Sequence, residues 1–163
     1  MSVSVFEGLQ EKINTSKVSN FFSGGKPRNL ILEAEKVLGV KFPRSYVNYI
    51  EQYGSGGMFG FEIYGIPNRN LYDPGVPNAI WLTLEEREKQ GLPHNLVLIM
   101  DGGLGDYYAL NCEKFSDEGE VPVVIWNPVI KQPVKQLQKV ANSFAEFFLM
   151  KIEEAITSSR EEE

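Results

Sequence analysis

Two glycine-rich stretches come closest to a catalytic pattern. The stretch 102–105, Gly-Gly-Leu-Gly, can be compared with the GxGxxG loop that holds a dinucleotide phosphate. The third glycine of that pattern would fall where the chain has Tyr108, and the next predicted element is a strand rather than a helix. Ser55 stands among glycines, but a nucleophile elbow needs glycine where the chain has Tyr53. We therefore expect a hairpin turn at 102–105 and no nucleophile at Ser55.

The side chains suited to acid–base or metal chemistry are few and scattered. The chain has one histidine, His94, and one cysteine, Cys112, which is too few for a zinc site and excludes an internal disulfide. A general base at His94 would need a positioned partner, and the sequence offers none. Asp101 and Asp106 flank a turn, where solvated carboxylates are common. The sequence therefore predicts no catalytic residue, metal site or cofactor, and a protein that is not an enzyme.

The acidic residues are unevenly distributed along the chain. Residues 101–120 carry six carboxylates and one lysine, a net charge of −5, and residues 153–163 carry five glutamates and one arginine, a net −4. Since the whole chain has a net charge of −6, the remainder sums to +3. A nucleic-acid-binding surface would require clustered Lys and Arg. The distribution instead favours a basic protein partner.

We expect the acidic segment 101–120 to contribute to a partner-binding surface. The candidate residues lie in the two loops that flank a predicted strand at 107–111, and they are Asp101, Asp106, Asp117, Glu118 and Glu120. A second candidate surface is the loop at 65–80, with Tyr72, Asp73 and Trp81. A nuclease must present cations to its substrate, so an acidic surface could cover it and steer association.

The length and composition are those of one globular domain. A chain of 163 residues with 42% hydrophobic and 23% charged residues can bury a core without disulfides. The expected domain spans residues 1–152, followed by an acidic helix end and tail at 153–163. No apolar run reaches the ~20 residues that span a bilayer, and the N-terminus lacks a signal-peptide pattern. We expect a cytoplasmic protein without membrane contact.

The elements expected to position these residues are helices, then strands, then a closing helix. Periodicity predicts helices over 5–14 and 28–38, and another after Pro43 whose apolar stripe contains Tyr46, Tyr49, Ile50 and Tyr53. Alternation predicts a strand at 59–64, and a capping box at Thr83–Glu86 predicts a helix ending near Gln90. Further strands are expected at 96–100, 107–111 and 121–126, with a weak one in 129–140 and a final helix capped by Ser143.

Short connections between strands favour antiparallel pairing. The expected fold is therefore α+β, a single domain with helices packed on one face of a mostly antiparallel sheet.

Five short motifs occur in a familiar order across residues 28–150. They are Glu33 and Glu35 with Leu38-Gly39, then Phe42-Pro43-x-x-Tyr46, Tyr53-Gly54-x-Gly56-Gly57, Ile63-Tyr64-Gly65, and Val140-Ala141-x-Ser143-Phe144-x-Glu146-Phe147-Phe148. Together they resemble the SUKH superfamily of fungal cell-wall-assembly regulators and bacterial immunity proteins. The resemblance implies an α+β fold without catalytic activity. It also implies that bacterial members neutralise a toxin, often a nuclease, and this compact chain is similar to those members.

Three functions remain open on the sequence. The first is an immunity protein that binds and blocks a cognate toxin with a basic surface. The second is a regulatory or scaffolding module of the cell-wall-assembly type. The third is a small-ligand-binding domain or an enzyme without a recognisable motif. A toxin gene beside this gene would favour the first.

Overall fold

The computed structural model describes residues 3–161, with side chains from Glu7 onward. The helices within this part of the chain are α1 (Val3–Thr15), α2 (Arg28–Leu38), α3 (Arg44–Tyr53), α4 (Ala79–Gln90) and α5 (Phe144–Glu161). The strands are β1 (Asn20–Phe22), β2 (Gly56–Met58), β3 (Phe61–Ile63), β4 (Leu96–Asp101), β5 (Tyr107–Asn111), β6 (Val123–Trp126) and β7 (Lys139–Ala141). A short 3₁₀ helix covers Val134–Gln136.

The strands form two antiparallel sheets with the orders β1-β2-β3 and β4-β5-β6-β7. Every strand pairs with its sequence neighbour within a sheet, as the short connections require. Tyr64, just after β3, donates its N–H to the carbonyl of Ile99 in β4 at 2.7 Å, which links the two sheets. The α+β prediction is confirmed.

The strand predicted at 59–64 is instead the second half of a hairpin. The chain turns at Phe59 and Gly60, where Gly60 has φ +111°, and Phe59 is 69% exposed. Gly57, expected in a connection, lies in β2, where the neighbouring backbone leaves no room for a side chain. A Cβ there would lie 2.1 Å from the carbonyl oxygen of Phe61.

Helix α3 supplies the centre of the core, as its apolar stripe predicts. Tyr46, Tyr49 and Ile50 are fully buried, and Tyr53 is half-buried against the core. The Tyr49 hydroxyl lies 2.9 Å from the carbonyl oxygen of Ile63 and 3.1 Å from that of Gly56. A buried hydroxyl needs such a partner, so the helix is tied to the β2–β3 hairpin by a polar contact as well as by packing.

Helix α4 begins five residues earlier than the Thr83 capping box predicts. Its N-cap is Asn78, whose side chain accepts hydrogen bonds from the N–H groups of Ile80 and Trp81. Thr83 is fully buried inside the helix, where its hydroxyl accepts a hydrogen bond from the N–H of Leu98 at 3.1 Å. The predicted end at Gln90 is confirmed, with Gly91 in the left-handed conformation.

The four-stranded sheet is covered by helices on both faces. Val97 and Ile99 belong to the core cluster that contains α5, whereas Leu96 and Leu98 belong to the cluster that contains Ala79 and Leu82 of α4. The alternation of side chains along β4 requires this division. The helices therefore pack on both faces rather than on the single face predicted, with α4 opposite α5.

The remaining elements follow their predictions with shifted ends. Strand β6 starts at Val123 rather than Val121, and the segment 129–140 contains the 3₁₀ helix and the first residues of β7. Ser143 caps α5, since its hydroxyl accepts a hydrogen bond from the N–H of Glu146 at 3.1 Å. Helix α5 continues to Glu161, so most of the expected acidic tail is helical, and its last two residues lie outside the described part. Among the described helices, none combines the length and hydropathy that crossing a membrane requires.

Candidate partner-binding surface

Two neighbouring connections at one end of the four-stranded sheet carry highly exposed apolar side chains. Tyr107 pairs with Trp126, so the residues before Tyr107 and those after Trp126 leave the sheet side by side. Leu104 is 88% exposed in the first connection, and Val129 is 84% exposed in the second. Ile130 is 56% exposed beside it. We call this region, formed by Leu104, Val129 and Ile130 with Asp101 and Asp106, the turn surface.

The two aspartates of the turn surface also build the turn that presents Leu104. Asp101 accepts a hydrogen bond from the N–H of Gly103 at 2.7 Å, and the carbonyl of Asp106 accepts one from the N–H of Gly102 at 2.8 Å. Gly103 has φ +90°, a conformation that side-chain-bearing residues rarely adopt. Asp101 is exposed and Asp106 is half-buried. Leu104 therefore projects from a hydrogen-bonded hairpin turn, which confirms the predicted turn at 102–105.

The Asp101 carboxylate lies close to two tyrosines at this end of the sheet. Burial raises the pKa of Tyr64 to about 12, and the Asp101 carboxylate is the next contributor. Burial also raises the pKa of Tyr107, followed by the charges of Glu86 and Asp101. The Asp101 carboxylate contributes to both shifts, after burial for Tyr64 and after burial and Glu86 for Tyr107. The turn surface thus combines apolar side chains with two carboxylates, those of Asp101 and Asp106.

The predicted acidic patch is divided by the strand between its loops. Asp101 and Asp106 lie at the start of β5, whereas Asp117 and Glu118 lie in the loop that follows its end. A strand of five residues separates its ends by roughly 14 Å. Asp117 and Glu118 are exposed, so each group can contact a partner, but the structure does not bring the two groups together.

Glu120 lies in the interior, which corrects the expectation that it belongs to the acidic surface. It is only 4% exposed. Ser45 donates its hydroxyl to one carboxylate oxygen at 2.6 Å and its N–H to the other at 3.1 Å. Ser45 is in the first turn of α3, where a negative charge complements the helix dipole. The partner lies 75 residues away in sequence, so no local pattern could reveal this role.

The second predicted surface, the loop 65–80, is held together by a residue that the sequence analysis missed. Asn78 is 1% exposed, and its side-chain amide donates to the carbonyls of Leu71 and Asp73 while its oxygen caps α4. Tyr72 projects outward with 59% exposure. The signal that could have identified Asn78 is its residue type directly before an apolar helical run.

The other two candidates in this loop are less available to a partner. The Asp73 carboxylate accepts a hydrogen bond from the side chain of Asn68 at 2.7 Å. Trp81 is half-buried against the core cluster under α4. The binding role of Tyr72, Asp73 and Trp81 stays a prediction, and Tyr72 presents the most area to solvent.

The reactive side chains of the described residues occupy unreactive positions. Burial raises the pKa of Cys112 to about 12, so its thiol stays protonated near neutral pH. His94 is exposed, with Nε2 3.3 Å from the carbonyl oxygen of Gly39. Within residues 3–161, no three potential ligands from histidine, cysteine and the acidic residues come together as a metal site would need.

These features define a single α+β domain. A family model, SUKH_5, with the description "SMI1-KNR4 cell-wall", matches residues 4–153. The chain belongs to this SUKH family, as the five motifs and their order predict. The family is generally non-catalytic.

Proposed function

We propose that this chain is an immunity protein that acts in the cytoplasm by binding and neutralising a cognate toxin, with a nuclease as the expected toxin class. The neutralisation is stoichiometric and requires no catalytic step. Membership of the SUKH family supports the proposal, and the turn surface is the observation that carries it.

The turn surface has the chemistry to contact a nuclease. Isolated exposed apolar residues are ordinary, but Leu104, Val129 and Ile130 lie in adjacent connections and offer neighbouring apolar contacts. A nuclease carries cations that bind the phosphate backbone of its substrate. Asp101 and Asp106 complement such cations, while the apolar side chains exclude water at the centre of the contact. This combination gives charge steering on association and apolar contact in the complex.

Neutralisation is the decisive test of this proposal. The genes beside this one would be searched for a nuclease-toxin domain, which would be produced alone and together with the chain, and cell growth and nuclease activity would be measured. We expect growth to be restored and nuclease activity to fall to background at equimolar protein. Unchanged toxin activity in excess protein, or a genome without a toxin gene near this one, contradicts the proposal.

Substitutions can then assign the binding to the turn surface. Replacing Leu104 and Val129 by lysine should raise the Kd for the toxin by at least about tenfold, a change of ~1.4 kcal/mol. Both side chains are more than four-fifths exposed, so the fold should be unaffected. Phe59→Lys is the matched control, because Phe59 is 69% exposed in a different turn. If Phe59→Lys raises the Kd as much, the turn surface is not the binding surface, although the chain can still neutralise the toxin.

A second candidate function is a regulatory or scaffolding module connected with the cell wall. The description of the matching family model, which names the cell wall, favours it. This function predicts altered sensitivity to wall-targeting antibiotics on deletion of the gene in cells that lack the toxin. Immunity predicts no such phenotype in those cells.

A further inference from the structure

A groove of about 270 Å³ lies between α2 and α3, on the outer side of both helices. Its apolar walls include Leu32 of α2, which is 51% exposed, and Phe115 of the β5–β6 loop, which is 40% exposed. The N–H of Arg44 donates to the carbonyl of Gly119 at 3.0 Å, which fastens this loop to the start of α3. The groove is therefore formed by two helices and an anchored loop, and it exposes apolar surface to solvent.

The charged residues that line the groove are mainly cations. The cations are Arg28, Lys41 and Arg44, and Glu35 supplies the one carboxylate in the lining. Arg28 is engaged with Glu51 at 2.7 Å, and Glu35 accepts a hydrogen bond from the N–H of Phe42 at 2.6 Å. Lys41 and Arg44 thus define the charge at the α3 end of the groove, in a chain whose net charge is −6.

The position of Arg44 is informative because a cation does not stabilise the start of a helix. Arg44 is the first residue of α3, where the helix dipole is already positive. The buried Glu120 carboxylate compensates that dipole from the inner side through Ser45.

We infer that this groove binds an acidic, apolar segment of a partner protein. A leucine-sized or aromatic side chain of that segment would pack between Leu32 and Phe115, and an adjacent carboxylate would pair with Lys41 and Arg44. The charge complementarity selects an acidic partner rather than the basic surface expected at the turn surface. The groove selects an acidic segment, whereas the proposed toxin presents a basic surface, so this inference does not depend on the proposed toxin.

The test is a titration of the isotope-labelled protein with a blocked hexapeptide in which glutamate alternates with phenylalanine and leucine. In NMR spectra, the chemical shifts of the backbone amides around Leu32, Lys41, Arg44 and Phe115 should change. A peptide with lysine in place of glutamate should leave these amides unchanged. No shifts at millimolar peptide, shifts confined to another surface, or equal shifts with the lysine peptide would overturn the inference.

Charge-reversal variants provide the matched comparison. The double substitution of Lys41 and Arg44 by glutamate should weaken acidic-peptide binding by about tenfold or more, through loss of charge-assisted hydrogen bonds. The same change at Lys135 and Lys139, exposed residues outside the groove, should have little effect. Equal weakening by both pairs would show that binding depends only on the net charge of the protein, and it would contradict the inference. Leu32→Asn tests the apolar wall with the charges intact, and unchanged binding would likewise count against it.

Discussion

Truncation of Glu120 should reveal how far one buried carboxylate stabilises the fold. Its two oxygens accept hydrogen bonds from the hydroxyl of Ser45 at 2.6 Å and from the N–H of Ser45 at 3.1 Å. The Ser45 hydroxyl in turn accepts a hydrogen bond from the N–H of Ala145 at 3.2 Å, at the start of α5. The carboxylate therefore connects the β5–β6 loop to the N-terminal ends of two core helices.

The expected size of the effect follows from these contacts. Each hydrogen bond to a charged group contributes about 1.5–3 kcal/mol, and removing the carboxylate also removes its own desolvation cost. We expect Glu120→Ala to lower the free energy of unfolding by about 3–4 kcal/mol. Glu120→Gln keeps an acceptor but loses the charge at the start of α3, so it should cost about 1–2 kcal/mol.

Urea denaturation followed by circular dichroism measures both changes through the transition midpoint. Asp117→Ala is the control on the same loop, because Asp117 is exposed and should change stability by no more than about 0.5 kcal/mol. The reasoning fails if Glu120→Ala shifts the midpoint no further than this control. It also fails if the effects of Glu120→Ala and Ser45→Ala are additive, since directly bonded residues should be coupled.

Four further predictions concern the core, the thiol, the alkaline limit and the second acidic loop. Tyr49→Ala should cost about 3–5 kcal/mol in urea denaturation because the ring is fully buried, and an unchanged midpoint would show otherwise. Cys112 should resist a thiol-reactive dye in the folded protein and react once urea unfolds it, since burial keeps the thiol protonated. Burial raises the pKa of Cys112 from 9.0 to about 12 and that of Tyr64 from 10.0 to about 12, so the folded state retains protons that the unfolded state loses. Stability should therefore be fully present below pH 9.0 and decline as the pH rises towards about 12, which urea midpoints at increasing pH would measure. Replacing Asp117 and Glu118 by lysine should slow toxin association and flatten its salt dependence while the melting temperature stays nearly constant. Unaltered association kinetics would exclude this loop from the interface.

The sequence alone predicts the bounds of an element correctly where those bounds depend on residues in and next to the element. The bounds of α2 follow from its apolar stripe and from Gly39, which adopts the left-handed conformation with φ 69°. The predicted strand at 107–111 coincides with β5 because its neighbouring turns are marked by glycine and charge. These features require no knowledge of distant contacts.

Features set by tertiary contacts could not be obtained in this way. The capping box at Thr83 has the correct residue types, yet the Thr83 hydroxyl accepts a hydrogen bond from the distant N–H of Leu98 and caps no helix. In the sequence, nothing separates Glu120 from the other carboxylates of an acidic loop, and its buried partner Ser45 is visible only in the fold. The separation of Asp106 from Asp117 follows from the length and direction of β5, because residues near in sequence lie at opposite ends of a strand.

Hydrogen–deuterium exchange on the complex with the cognate toxin tests the proposed binding surface most directly. The exchange of this chain would be compared with and without saturating toxin. We predict slower exchange in the two connections of the turn surface, residues 102–106 and 127–130, with little change around the β2–β3 turn at Phe59. Protection around Phe59 with unchanged exchange in both connections would contradict the account.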